Sequence, residues 1–364
     1  MMVENLISVI IPVYNIKMND LEECIDSILQ QTYYKFEVVI VDDGSCTECA
    51  EQLEKIKEKD SRIIVFHKKN EGVSVARNYG FEHSQGEYIV YADGDDVLTP
   101  YYFEDGIKNL KENRADIVIG KIMNTTNRTV HDFKPSTRVR KKLLEKNDLL
   151  AFRQHIFSKK EKDWGKDENG TLFNFEGCWA HIVRREVAEK EQFTRGISVG
   201  EDTLWALQIS NLEKAYRICL VYEVWYLYIQ NEGSVLHSYK PDLPDVLTQA
   251  NKLVYDEIKG ESKLVKQYYD WIFVKLRQII GNYLSKDCPL TTAEKMKYYD
   301  SMIKQDGWEN IMRNAKSVPR EFKNKCVVFR SGFIILYFAT RMMWRRNKCC
   351  LLYTSPSPRD RQKS

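Results

Sequence analysis

The most constraining feature of this sequence is an alternation, over its first 120 residues, of short β-branched runs with segments of helical apolar spacing. The runs fall at residues 7–11, 38–41, 63–66, 88–92 and 117–119. A separation of roughly 25 to 30 residues is typical of parallel strands joined by crossover helices. The first such helix should follow Asn19 or Asp20, which are placed to cap it. The pattern predicts an α/β fold: a mostly parallel central sheet with helices on both faces.

Composition supports a folded, intracellular protein. The chain has 364 residues, of which 43% are hydrophobic and 29% charged, a balance that excludes disordered and fibrous classes. Its nine cysteines are an odd, scattered number, which favours a reducing compartment over a disulfide framework. The N-terminus lacks the basic region of a signal peptide, and no uncharged apolar run is long enough to span a bilayer. We therefore expect a cytoplasmic location.

Positive charge is concentrated near the C-terminus. Residues 311–348 contain ten Lys and Arg against one Glu, whereas residues 1–310 are net acidic, so a general nucleic-acid binder is disfavoured. Aromatic and aliphatic residues between Phe329 and Trp344 alternate with arginines. This pattern predicts a peripheral anchor on the inner face of the cell membrane. A helix packed on the rest of the protein, or a dimer contact, is the alternative.

Polar residues follow the predicted strands, at the edge where parallel sheets bind ligands. The first strand runs into residues 12–15 without a glycine, which argues against dinucleotide and P-loop sites. The second ends in Asp42 and Asp43, whose carboxylates could accept hydrogen bonds from a nucleotide base or ribose. The alternative is that this segment is only an Asp-Gly turn.

Two further carboxylate groups stand out. Asp93, Asp95 and Asp96 lie within four residues, and oxygen ligands at that density suit Mg²⁺ or Mn²⁺, with a solvated acidic loop as the alternative. Glu201 and Asp202 open a predicted helix, where Asp202 could be a helix cap or a general base.

Read in order, these segments resemble the family 2 glycosyltransferases, whose fold is called GT-A. The resemblance covers roughly residues 5 to 235 and is carried by five segments in the expected order: residues 7–15, 41–45, 70–80, 93–96 and 201–203. It implies a hexosyltransferase of the bacterial surface-polysaccharide type. Such an enzyme transfers a sugar, with inversion, from a nucleotide donor, usually a UDP-sugar, to a hydroxyl of a glycan or lipid-linked acceptor.

The resemblance also implies roles for individual residues. Asp202 matches the general base, and Asp95 matches the metal-coordinating carboxylate, with Asp93 reaching the ribose or the metal. The nucleotide site takes in Pro12, Tyr14, Asp43, Arg77 and Asp93. Supporting positions are Asp96, Glu201 and His237. Independently of the resemblance, Trp179 could stack on a sugar ring, with a buried aromatic beside a core helix as the alternative. The implied cofactor is Mn²⁺ or Mg²⁺.

This interpretation predicts a domain organisation and leaves two alternatives. Residues 1–120 form the nucleotide-sugar-binding half of the GT-A domain, and residues 121–235 form its acceptor-side half with a variable insertion. Residues 236–348 form a helical C-terminal region, and residues 349–364 resemble a non-native tail. The alternatives are a sugar nucleotidyltransferase, whose Gly-rich phosphate loop is missing after the first strand, and a non-catalytic nucleotide-sugar-binding module.

Overall fold

The computed structural model describes residues 2–130, 133–134, 139–158, 171–230, 239–305, 308, 320, 323–335 and 337. Its strands are β1 (Val3–Val13), β2 (Phe36–Asp43), β3 (Ile63–Lys68), β4 (Gly86–Tyr91), β5 (Val97–Leu98), β6 (Ile117–Thr125), β7 (Lys141–Leu143), β8 (Thr171–Leu172), β9 (His181–Arg184) and β10 (Ile218–Ile229). Within the described residues these strands form one sheet in the order β3-β2-β1-β4-β9-β6-β10-β5, with β7 beside β10 and β8 beside β6.

The helices occupy the connections and the C-terminal region. They are α1 (Met18–Leu29), α2 (Thr47–Lys57), α3 (Val73–His83), α4 (Tyr102–Asn113), α5 (Lys146–Ser158), α6 (Arg185–Lys190), α7 (Glu201–Ile209), α8 (Leu243–Ile258), α9 (Val265–Tyr283), α10 (Thr292–Met302) and α11 (Lys323–Phe329), with a short 3₁₀ helix at Ser262–Leu264.

The predicted mostly parallel sheet is confirmed. Strand β1 pairs in parallel with both β2 and β4, β2 pairs in parallel with β3, and β6 pairs in parallel with β10. The short β9 is antiparallel to both β4 and β6 and closes the gap between the two parallel groups.

Alternation along the strands places apolar residues on both faces, and each face is covered by helices. Val9 on one face shares a core with Leu21 of α1, Leu53 of α2 and Leu110 of α4. On the other face Ile10 lies directly beneath Gly80 of α3. The expected cap of α1 is wrong, because the helix begins at Met18 with Lys17 at the N-cap position and no side-chain cap bond.

The chain divides into two compact units. One comprises Met1–Ser234 with Leu253–Tyr268, and the other comprises Val235–Lys252 with Tyr269–Ser364. In the second unit the Tyr299 hydroxyl donates to the Phe329 carbonyl at 2.8 Å, which holds α11 against α10. Across the described residues, no helix is both long and apolar enough to cross a bilayer.

Candidate active site

The carboxyl ends of β1, β2 and β4 lie side by side at one edge of the sheet. The residues that follow them are therefore brought together, although they come from three separate stretches of sequence. Tyr14 follows β1 and is 59% exposed, whereas Asp43 at the end of β2 is buried. Asp93 follows β4, and its side chain is partly open to solvent.

Asp43 holds the loop that precedes α3. Its carboxylate accepts hydrogen bonds from the backbone N–H of Glu71 at 3.0 Å and of Gly72 at 2.8 Å, and it pairs with the Lys68 ammonium at 2.7 Å. The adjacent Gly44 has a φ of +78°, and a Cβ there would stand 2.6 Å from the Asn70 backbone nitrogen. The Asp-Gly turn thus packs against this loop, at a position that only glycine fits.

Arg77 of α3 is the centre of the charge cluster at this edge. One guanidinium nitrogen lies 2.9 Å from an Asp202 oxygen and 3.3 Å from a Glu201 oxygen, while the other lies 3.1 Å from Asp93. The Arg77 side chain is only 3% exposed. Three carboxylates therefore share one buried cation, and the ion pairs join the end of β4 to the first turn of α7.

This crowding alters the acidity of Asp202. Burial, together with the neighbouring charges of Glu201 and Asp93, raises the pKa of Asp202 to about 8, against the opposing effect of Arg77. A carboxylate whose pKa lies near neutrality, in a partly exposed position, is suited to general-base catalysis.

Two aromatic residues orient Asp93. The indole N–H of Trp179 donates to its second carboxylate oxygen at 2.8 Å, and the Tyr226 hydroxyl accepts from its backbone N–H at 3.0 Å. The Trp179 and Tyr226 rings stack with centroids 6.4 Å apart. Asp93 is thus held on one side by Arg77 and on the other by Trp179.

Asp95 and Asp96 differ in environment. Asp95 is partly exposed, and burial and the charge of Asp93 raise its pKa. Asp96 is buried; one of its oxygens accepts the Ile229 N–H at 2.8 Å, and the other lacks a hydrogen-bond partner within the described residues. Burial, Asp93 and Asp95 raise its pKa to about 8. Asp96 therefore helps to anchor the end of β10 beneath the turn.

Asp95 and Asp93 are the carboxylates of this site that could hold a divalent cation together with a bound substrate. No group of three or more His, Cys, Asp or Glu that could hold a metal occurs in the described part of the chain. However, Mg²⁺ in phosphate-binding sites needs only one or two carboxylates in addition to the phosphates. Asp95 and Asp93 supply two, and their mutual repulsion is the kind that a cation relieves.

Sequence reasoning missed two residues of this site. Lys68 pairs with Asp43, and Tyr226 bonds the backbone of Asp93. Lys68 could have been predicted, because it ends the β3 run at the predicted carboxyl edge of the sheet. Tyr226 could not, because it lies far along the chain from Asp93 and no motif connects the two. The predicted supporting residue His237 lies outside the described residues.

The α/β sheet, with acidic residues gathered at its carboxyl edge around one buried arginine, agrees with the GT-A fold that the sequence resemblance implies. The family model for glycosyl transferase family 2 matches residues 8–190. The chain belongs to this family, and it is a glycosyltransferase.

Curated relatives agree with this assignment. An uncharacterized glycosyltransferase, EpsJ of Bacillus subtilis, is 30% identical over 246 residues, which are 66% of this chain and 66% of EpsJ. The cholesterol galactosyltransferase of Borreliella burgdorferi is 29% identical over 76% of each chain. Several other relatives are matched over less than a fifth of their own length.

Solved structures share the fold. The crystal structure of S. aureus TarS 1-349 superposes with a TM-score of 0.60 at 18% identity, covering 94% of this chain and 91% of TarS 1-349. A second crystal structure, of TarS 1-349 in complex with UDP-GlcNAc, gives a TM-score of 0.58 at 17% identity, covering 94% of this chain and 92% of that one. The predicted GT-A fold, with its helical C-terminal region, is thereby confirmed.

Proposed function

We propose that the protein is an inverting glycosyltransferase that moves a hexose from a UDP-sugar to a hydroxyl of a growing surface polysaccharide or a lipid-linked glycan. The observation that carries this proposal is the joint placement of Asp202 and Asp93 on Arg77. This arrangement supports the proposal, because a base for the acceptor and a carboxylate for the donor would be held by the same arginine.

Asp202 is the general base of the proposed reaction. Its carboxylate removes the proton of the acceptor hydroxyl as that oxygen attacks the anomeric carbon, and the bond from this carbon to the diphosphate oxygen breaks on the opposite face. One displacement of this kind inverts the anomeric configuration. The N-terminal position of Asp202 on α7 and its ion pair with Arg77 support a fixed orientation for this base.

The donor site is proposed at the ends of β1, β2 and β4. Pro12 and the exposed ring of Tyr14 flank the nucleoside, and Asp43, Arg77 and Asp93 contribute polar contacts to the nucleotide. Asp95, with Asp93, would hold Mn²⁺ or Mg²⁺, which supplies positive charge against the diphosphate leaving group. A UDP donor is supported by the S. aureus TarS structures in complex with UDP and with UDP-GlcNAc.

We further propose that the enzyme works in the cytoplasm, on the inner membrane surface. In the described part of the C-terminal segment Phe333 is 69% exposed, and Val327, Val328 and Tyr337 are each more than half exposed. Lys323, Arg320 and Arg330 lie in the same segment. Exposed apolar side chains beside cations suit an anionic lipid surface, where lipid-linked acceptors reside.

A donor screen tests the proposal. Binding and hydrolysis of UDP-, GDP- and dTDP-sugars are measured with Mn²⁺, with Mg²⁺ and after chelation. We expect UDP-sugars to bind most tightly, to be hydrolysed slowly without acceptor, and to lose both properties on chelation. Preference for another nucleotide would refute the UDP assignment, and turnover unaffected by chelation would refute the metal assignment. The family match already favours a glycosyltransferase over a sugar nucleotidyltransferase or a binding module.

A further inference from the structure

A cavity of 370 Å³ lies entirely within the second unit. Its volume falls in the range of about 300 to 1,000 Å³ that small-molecule sites occupy. The polar side chains that line it belong to Tyr239, Asp245, Tyr283, Tyr298, Ser301 and Gln305, and the remaining lining is apolar. None of these residues takes part in the proposed glycosyl transfer.

Three helix ends form the cavity. Asp245 lies in the first turn of α8, and Tyr283 is the last residue of α9. Tyr298, Ser301 and Gln305 follow one another at spacings of three and four, so they share one face of α10 and its extension. Burial, followed by the proximity of Tyr239 and Asp245, raises the pKa of Tyr283 to about 12, which is consistent with these groups converging on one space.

Hydrogen bonds fix the walls of this cavity before any ligand binds. The Asn282 side chain both donates to the carbonyl of Lys240 and accepts from its N–H, each at 2.8 Å, which anchors the segment that carries Tyr239. A capping box between Thr291 and Glu294 fixes the start of α10. The indole N–H of Trp308 donates to Thr248 of α8 at 2.6 Å. A preformed cavity loses less entropy when it binds a ligand.

Four polar side chains at the open side of the cavity are accessible to a ligand. The side chains of Asp245, Tyr298, Ser301 and Gln305 are solvent-exposed and make no hydrogen bond or ion pair to another side chain or to the backbone within the described residues. They provide a carboxylate, two hydroxyls and an amide beside half-exposed aromatic surface, and Tyr298 is 50% exposed. Aromatic rings that offer apolar faces, together with hydrogen-bond donors and acceptors in the same cavity, match a pyranose, which has an apolar face and a rim of hydroxyls.

We propose that this cavity is a saccharide-binding site, separate from the catalytic residues, that holds one or two sugar units of a glycan chain. Tyr298 provides the stacking surface, and Asp245 and Gln305 bind sugar hydroxyls. A tyrosine-lined acidic pocket could also bind a quaternary ammonium, but that group makes no hydrogen bonds, whereas the hydroxyl of Ser301 and the amide of Gln305 match the hydroxyls of a saccharide. That the cavity binds a saccharide does not depend on the proposed transfer reaction. That this saccharide is part of the acceptor rests on the proposed function.

Saturation-transfer NMR on the full chain tests the binding. The probes are N-acetylglucosamine, glucose and galactose, their β-linked disaccharides, and choline as the competing ligand. We expect saturable saccharide binding that Tyr298→Ala weakens by at least about fivefold, with Tyr298→Phe close to the parent. Asp245→Asn should weaken it about two- to fivefold. Tyr34→Ala removes a tyrosine that is 81% exposed and lies in the first unit, and it should change nothing.

Several results would overturn the proposal. They are the absence of saturable saccharide binding, binding of choline alone, or saccharide binding that Tyr298→Ala leaves unchanged while thermal unfolding shows that the variant is folded. Kinetics add a second readout, because Tyr298→Ala should raise KM for a polymeric glycan acceptor several-fold while kcat and UDP-sugar hydrolysis stay constant. If no UDP-sugar is turned over at all, the proposed function fails, but the NMR titration still decides the saccharide site.

Discussion

At the scale of single residues, the chemistry of this site depends on a charge imbalance around Arg77. Glu201, Asp202 and Asp93 all lie within 3.3 Å of its guanidinium, so one positive charge faces three carboxylates. Removing the buried arginine of such a cluster typically lowers the free energy of unfolding by about 3–5 kcal/mol, because the carboxylates are left without a compensating charge. Arg77 thus acts as a structural centre of the site as well as a candidate nucleotide contact.

Asp202→Asn should abolish transfer while leaving donor affinity nearly unchanged. The amide retains the shape of the side chain but cannot accept the acceptor proton, so the loss should fall on kcat, by roughly 10²- to 10⁴-fold. Product formation and UDP binding by calorimetry are the two measurements. Asp26→Asn, at an exposed position of α1, serves as the matched control. An Asp202 variant with substantial transfer activity would remove this residue from the mechanism.

The activity should also depend on pH in a defined direction. Only the ionised form of Asp202 can accept a proton, and its pKa is raised to about 8 by burial and by Glu201 and Asp93. Below that pH, kcat/KM should therefore fall about tenfold per pH unit, and above it the rate should level off. Rates measured from about pH 6 to 9, with UDP affinity recorded over the same range, provide the test. A flat profile with unchanged affinity would contradict the assignment.

At the scale of structural elements, the turn after β2 requires glycine at position 44. Gly44→Ala would give a residue with a Cβ a φ of +78°, and it would place that Cβ 2.6 Å from the backbone nitrogen of Asn70. A small side-chain movement can relieve neither the backbone strain nor the close contact. We expect a loss of about 1–3 kcal/mol in the free energy of unfolding and weaker UDP binding, because the loop held by Asp43 must move.

Gly281→Ala is the matched control for this variant. Gly281 lies within α9, and a Cβ there meets nothing within 4 Å, so alanine should be neutral or should stabilise by about 0.5–1 kcal/mol. Urea unfolding measures both variants. Equal stability of Gly44→Ala and the parent protein would show that the turn tolerates a side chain.

The elements also show what local sequence can and cannot predict. The five apolar runs predicted β1 to β4 and β6 because buried parallel strands need continuous β-branched residues. By contrast, the four residues of β9 are too few to show a recognisable pattern of apolar and polar side chains. The position of β9 in the sheet is set by its pairing with β4 and β6, which the local sequence does not reveal.

The same limit applies to the candidate site. Asp93 and Asp202 stand out in the sequence because acidic residues cluster at predicted strand and helix ends, and the family resemblance implies their roles. That Arg77 binds both could not be inferred from the sequence, since Arg77 and Asp202 are 125 residues apart and meet only through the sheet. Motifs identify residues whose chemistry is local, whereas their partners are fixed by tertiary packing.

At the scale of the whole molecule, the C-terminal segment has two distinct faces. Phe329, Ile334 and Ile335 are buried, and the Gly332 N–H donates to Asp300 at 2.8 Å, so one face packs within the helical unit. The other face carries exposed Val327, Val328, Phe333 and Tyr337. Packing and membrane binding are therefore compatible, because they use different residues of the same segment.

The exposed face alone should control membrane association. The double substitution Phe333→Ser and Val328→Ser removes exposed apolar surface and leaves the buried residues unchanged, so the protein should stay folded. Its affinity for anionic liposomes should fall by at least about tenfold. Each Lys or Arg near an anionic surface adds about 1 kcal/mol, so high salt should also weaken binding of the parent protein. Sedimentation with anionic and neutral vesicles measures both effects, and Val274→Ser, at another exposed valine of the same unit, is the control. If the parent protein fails to sediment with anionic vesicles at low salt, the exposed face has another role and the proposed membrane location is wrong.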